Sequence, residues 1–390
     1  MTRKTSAAAA ATAKSDASAA SPSVAAPAGP SAMQRPPAEL LYADELARLA
    51  AEDRGPVPPG WRLSMGAVIR FIAGGEGHRR KLVCAPSLLE RALVTLASNR
   101  ALLLVGEPGT AKSLLSELLS AAISGTSTLT VQGSAATTED QIKYGWNYAL
   151  LLNEGPSERA LVPSPLMRGL REGRVVRFEE ITRCPPEVQD ALLSVLSERL
   201  LMVPELADAG TAAGTVFAAP GFNLIATANI RDRGVNEMSA ALKRRFAFET
   251  VFPIADYDEE LALVRSEVDR LLARDGLSVT PSPDVLEVLV TVFRELRTGI
   301  GRDGQAGERL STVVSTAEAV SVAHAITLRG HYLRGDAGRA ADIVEALAGA
   351  AAKDNADDLK KIRRYIDQRA AKRAGEHWQA FHAARHLLPE

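Results

Sequence analysis

The run Leu102-Leu103-Leu104-Val105 leads directly into Gly106-Glu107-Pro108-Gly109-Thr110-Ala111-Lys112-Ser113, and this junction constrains the fold more than any other part of the chain. An aliphatic run of this length reads as a buried strand, and a glycine-bearing loop closed by Lys-Ser reads as the start of a helix. In such a loop, consecutive backbone N–H groups converge on a phosphate, and the helix N-terminus adds partial positive charge. Lys112 then reaches the β- and γ-phosphates and the Ser113 hydroxyl ligates Mg²⁺, with Leu114 following into the helix. Gly106 to Leu114 are therefore candidate nucleotide-binding positions. The pattern usually carries glycine just before the lysine, where this chain has Ala111.

Two further segments complete a nucleotide site. Arg174 to Phe178 reads as a buried strand ending in Glu179-Glu180. A Mg²⁺-ATP site needs an acidic pair there: one carboxylate holds the metal, directly or through water, and the next polarises the attacking water. Asn223 to Ala228 is another apolar strand, ending at Asn229. An amide at that tip is either a turn residue or a group that orients water against the γ-phosphate.

Strand and loop, acidic strand end, tip Asn and then Ala241-Leu242-Lys243-Arg244-Arg245-Phe246 follow the motif order of AAA+ ATPases, which the chain resembles over roughly residues 65–335. The stretches Glu179 to Arg199 and Asn229 to Phe246 are similar to the MoxR branch. The resemblance implies an α/β fold: a parallel five-stranded P-loop sheet of order 5-1-4-3-2, with a small all-α lid. It also implies ATP and Mg²⁺ as cofactors, a hexameric homo-oligomeric ring, and remodelling of a protein client together with a von Willebrand factor A domain partner. Residue by residue, it implies Glu180 as the catalytic glutamate and Asn229 as the γ-phosphate sensor. Arg245 matches the arginine finger that enters a neighbour's site, with Arg244 as the alternate. Glu179 stands where the family usually carries Asp, one methylene shorter. For the second sensor the candidate is Arg309, although the usual Ser-Pro ahead of it is replaced by Gly307-Glu308. Arg231 and Arg233 are candidates for lining a subunit interface.

The rest of the chain is laid out around this core. Residues 1–38 are mostly Ala, Ser, Pro and Thr, a composition that cannot offset its own ordering entropy, so a disordered tail is expected. Residues 39–64 supply an N-terminal helix (Leu40 to Ala51) and a Pro/Gly connector. The core is expected over 65–254, with strands at Ala101–Val105, Thr128–Gln132, Val175–Phe178, Asn223–Ala228 and Phe246–Phe252. Insertions at about 137–165 and 200–222 resemble those that face the ring pore or top in the MoxR branch. The first carries Tyr144, Trp146 and Tyr148, read either as client contacts or as local packing. The second suits a hairpin turning at Ala209 to Gly214. Apolar spacing predicts lid helices over Tyr257–Ala273, Pro283–Arg297 and Ser311–Leu328 within 255–350, followed by a charged helical extension over 351–390.

A net charge of −1 over 390 residues gives no global field for nucleic acid. The first insertion sets Glu139, Asp140, Glu154 and Glu158 against Lys143 and Arg159, a balance that argues against tracking a phosphate backbone. No apolar run of membrane-spanning length occurs. Cys84 and Cys184 lack metal-ligand spacing, so reduced thiols in a cytoplasmic protein are expected.

Overall fold

The structure, a computed structural model, describes residues 33–207, 214–229 and 236–389. Pro37–Glu390 forms one compact unit, which carries all the features below. Most of the expected disordered tail, the turn of the second insertion at 209–213, and Arg231 and Arg233 lie outside the described residues.

Five strands form the central sheet: β1 (Ala101–Gly106), β2 (Thr130–Gln132), β3 (Val175–Glu179), β4 (Asn223–Asn229) and β5 (Phe246–Thr250). Their order is β5-β1-β4-β3-β2 with every neighbouring pair parallel, as the sequence reading expects. Burial on both faces explains the unbroken aliphatic composition of β1. Alternate side chains serve opposite layers. Leu103 and Val105 pack with Phe178, Leu224 and Met167 on one face. Leu102 and Leu104 pack with Phe71 and Leu118 on the other.

Helices α1 (Ala43–Glu52), α2 (Met65–Ala73), α3 (Pro86–Ala97) and α4 (Lys112–Ser124) precede or follow β1. The N-terminal helix expected over Leu40 to Ala51 is interrupted at Tyr42, which separates Ala38–Leu41 from α1. Each insertion contains an antiparallel ribbon: Tyr144–Trp146 with Leu161–Pro163, and Leu200–Met202 with Thr215–Phe217. Tyr144 and Trp146 stack edge to face, and the Tyr144 hydroxyl donates to Glu205 at 2.8 Å, tying the two insertions together. Tyr148 and Leu152, by contrast, are 71% and 88% exposed.

After β5 the chain is helical: α5 (Tyr257–Arg274), α6 (Pro283–Thr298), α7 (Thr316–Arg334), α8 (Ala340–Leu347), α9 (Ala356–Gln368) and α10 (Glu376–Ala383). The third lid helix begins at Thr316, not at the expected Ser311. Its start is fixed by a capping box in which the Ser315 hydroxyl accepts from Glu318 N and the Glu318 carboxylate accepts from Ser315 N. The charged helical extension expected over 351–390 also contributes to the lid core. Ile362, Tyr365, Ile366 and Phe381 are buried in the same core as Val264, Phe293, Ile326 and Val344, and of the α9 charges only Asp358 is buried with them. No helix among the described residues is long and apolar enough to cross a membrane.

The segment between α6 and α7 is pinned by this C-terminal region. Asp358, fully buried at the start of α9, accepts from Ser311 N (2.9 Å), Ser311 Oγ (2.8 Å), Thr312 N (2.7 Å) and Lys361 Nζ (2.8 Å). Burial alone would raise this carboxyl, but Lys361 and the Ser311 and Thr312 donors outweigh it and hold it well below the usual range. A carboxyl that is a stronger acid when folded contributes stability above its unfolded value, about 3.9, and loses it as pH falls through the lower folded value. Asp358→Asn should therefore destabilise the protein by about 1–3 kcal/mol at pH 7. The deficit should shrink as urea unfolding is repeated from pH 5 downward, and a constant deficit would contradict this account.

Candidate functional site

All the expected cleft residues except Arg309 and the arginine-finger candidates come from the carboxyl ends of parallel strands, where the backbone turns away and leaves room for a ligand. β1 ends at Gly106, the loop turns through Glu107 to Ala111, and Lys112 starts α4. Gly109 has φ 75°, and a Cβ there would lie 2.1 Å from Ser315 Cβ. The cap of lid helix α7 is thus seated directly on the phosphate loop, which is why this position is glycine. Ala111 adopts φ 65°, a left-handed conformation that L residues other than glycine pay to enter. Lys112 Nζ donates to Gly106 O (3.1 Å) and Glu107 O (2.8 Å), and Thr110 Oγ1 donates to Glu107 O (2.9 Å).

Glu179 is the hub of the site. It is 5% exposed and accepts from Ser113 Oγ (2.7 Å), Ser116 Oγ (2.7 Å), Arg177 Nη2 (2.7 Å) and Thr227 Oγ1 (2.8 Å). Burial would raise its carboxyl, but the Ser113, Ser116, Arg177 and Thr227 donors prevail and lower it, so it is ionised at neutral pH. The extra methylene over Asp does not take it out of reach of Ser113. Because Ser113 gives its proton to Glu179, its oxygen lone pairs remain for a hard cation, and hydroxyl with carboxylate is the donor chemistry Mg²⁺ prefers. The residues present therefore fit the metal.

Glu180, next along, has φ 55°, a turn out of the strand that separates its side chain from that of Glu179. Its N–H donates to Thr227 Oγ1 at 2.9 Å, and its carboxylate meets Arg183 Nε at 2.5 Å. Asn229 pairs in register with Gly106, so the tip amide and the start of the phosphate loop are neighbours. A cavity of about 220 Å³ adjoins the loop, bounded by Leu82, Leu114, Ile254, Leu271 and Val314 among others. Its apolar walls suit a planar base.

Three expected residues sit differently. Arg309 lies in the segment before α7, not at the helix start. It is about half exposed, and its Nη2 is 3.4 Å from Glu107 Oε1. Arg244 and Arg245 stand before β5, at the end of the sheet opposite the phosphate loop, because Phe246 pairs with Ala101 at the beginning of β1. A strand of this length separates them from their own loop by about 17 Å. Arg245 donates to Ala241 O at 2.7 Å and also bonds Ser197 Oγ.

Sequence reasoning missed Ser116, Arg177 and Thr227. Each had a periodic signal. Ser116 follows Ser113 by one helical turn, and Arg177 and Thr227 precede Glu179 and Asn229 by two residues on their strands.

A β1 between β4 and β5, a phosphate loop at its end and the acidic strand β3 on the far side of β4 define a P-loop ATPase core of the AAA+ class. Residues 101–246 match the AAA domain of the dynein-related subfamily, and 258–389 match the C-terminal domain of YehL-like AAA+ ATPases. The chain is 58% identical over 359 residues to the Escherichia coli protein YehL, covering 92% of this chain and 98% of that one. It belongs to the YehL-like AAA+ ATPase family. An uncharacterized protein of Staphylococcus haemolyticus is 28% identical over 218 residues, 55% of this chain and 74% of its own. Among solved structures, NtrX from Brucella abortus in complex with ATP aligns at TM-score 0.43 and 14% identity. That alignment covers 66% of this chain and 52% of the NtrX chain.

Ala111→Gly should stabilise the protein by about 1 kcal/mol: the left-handed penalty of ~1–2 kcal/mol, less the entropy glycine restores to the unfolded chain. Urea unfolding without nucleotide measures this, and a destabilised variant would show that Ala111 contributes packing that outweighs its strain.

Proposed function

We propose that the chain is an ATP-hydrolysing remodeller of the MoxR kind, acting as a hexameric ring on a protein client together with a von Willebrand factor A domain partner. The observation that carries the hydrolytic part is the buried Ser113–Glu179–Thr227 cluster with Glu180 beside it at the mouth of the phosphate loop. Ser113 and Glu179 would hold Mg²⁺, which when bound neutralises charge on the phosphate oxygens. Lys112 and the loop N–H groups bind the phosphates. Glu180 accepts the proton of the attacking water, and Asn229 orients that water. Arg245, remote from its own loop, serves the site of an adjacent subunit, with Arg244 as its alternate. The exposed Tyr148 and Leu152 on the first insertion are the side chains offered to a client.

A second reading, a nucleotide-gated scaffold with little turnover, is favoured by the pairing of Glu180 with Arg183, which engages the carboxylate meant for water. ATP turnover against protein concentration separates the two. Under the first reading, specific activity rises cooperatively with concentration, and Glu180→Gln reduces it by about 10²-fold or more. Arg245→Ala should cost about 10³-fold, a cost relieved in rings mixed with an active-site variant that keeps its arginine. Tight ATP binding with negligible turnover at every concentration would establish the scaffold instead.

A further inference from the structure

The two insertions enclose a groove of their own. Asp140 and Lys143, from the short helix Glu139–Ile142 and the residue after it, line a cavity of about 330 Å³ together with Tyr144, Met202 and Pro204. None of its lining residues is shared with the cavity beside the phosphate loop. Its volume is at the small end of sites that enclose a ligand or a few side chains. Met202 is 58% exposed. It shares the outer face of its ribbon with Phe217, 62% exposed, because Phe217 pairs with Leu200, two residues before Met202. That ribbon face is apolar and uncovered.

The uncompensated charge at this groove has one sign. Lys143, the cation lining it, is paired with Glu139. Asp140 is exposed and has no cationic partner among the described residues, and Glu205 accepts from the Tyr144 hydroxyl at 2.8 Å without a cation beside it. Burial, then Glu205, Asp140 and Glu139, push the Tyr144 phenol well above its ordinary value, so the three carboxylates act on one point of the groove. Exposed Met and Phe next to unpaired carboxylates complement a chain that is both apolar and cationic. Nucleic acid and anionic lipid surfaces are repelled by this sign of charge. A second copy offering the same face would set carboxylate against carboxylate.

We propose that this groove docks a client segment in which lysine or arginine is interleaved with apolar residues. The apolar side chains of the segment cover Met202 and Phe217, and its cation is held by Asp140 and by the remaining acceptor capacity of Glu205. The Tyr144–Glu205 hydrogen bond joins the two insertions at the place where the segment lies, so both contribute to one surface. The proposal rests on the client-remodelling reading above and supplies the chemistry of the client.

Fluorescence anisotropy on the full chain tests it with short labelled peptides that alternate Lys with Leu, Glu with Leu, or Lys with Ser. The Lys/Leu peptide should bind about tenfold or more tighter than the other two. Asp140→Asn/Glu205→Gln keeps an acceptor for Tyr144 and should weaken that peptide about tenfold, the scale of two partly exposed ion pairs. The same variant should flatten the salt dependence of binding and leave turnover without peptide unchanged. Met202→Ser/Phe217→Ser should weaken the Lys/Leu peptide by about tenfold and leave the Lys/Ser peptide as it was. Asp140→Lys/Glu205→Lys should transfer the preference to the Glu/Leu peptide, a reversal that a merely damaged fold does not produce. If that variant does not fold, the Asn/Gln pair carries the test alone. Equal binding of the Lys/Leu and Glu/Leu peptides, binding of neither, or an unchanged preference in the Asn/Gln variant would overturn the proposal. The remodelling reading fails separately. Docking of the Lys/Leu peptide in the groove of a chain whose ATP turnover never responds to it would keep the groove and remove the remodeller.

Discussion

The cleft is organised by one buried carboxylate. Glu179 joins β3 to α4 through Ser113 and Ser116, to β4 through Thr227, and to its own strand through Arg177. A lone carboxylate at that depth would be strongly disfavoured, and the donors together keep it ionised. The consequence is geometric. With two donors on each oxygen, Glu179 is fixed in orientation, the Ser113 hydroxyl is held against it, and Thr227 accepts from Glu180 N. The position of the hydrolytic glutamate is thus inherited from hydrogen bonds made by the residue before it.

The P-loop sheet was legible because its residues are doubly constrained. A strand buried on both faces must be aliphatic, and a loop that wraps phosphate must carry glycine and end in Lys-Ser, so order and spacing survive in a single sequence. The start of α7 was misplaced because apolar periodicity continues upstream of it, through Leu310, Val313 and Val314. The Ser315–Glu318 box, a local signal, decides where the helix begins. Residues 351–390 read as a charged helical extension because charge dominates the α9 sequence. Its buried stripe is sparse, and only the tertiary packing of Ile362, Tyr365 and Ile366 shows that it belongs to the lid core.

This arrangement couples regions that look independent in the sequence. Asp358 fixes Ser311 and Thr312, and that segment leads to the α7 cap, which rests on Gly109. A displacement of the C-terminal helices therefore moves the roof of the phosphate loop directly, without passing through the sheet. The same path runs outward: a ligand that draws α7 onto the loop pulls on α9 and the helices packed with it. The lid core is one body from Val264 to Leu388, so such a pull moves its outer surface as a unit and does not dissipate in a local repacking. Whatever docks on that outer surface is mechanically closer to the nucleotide than its distance along the chain suggests.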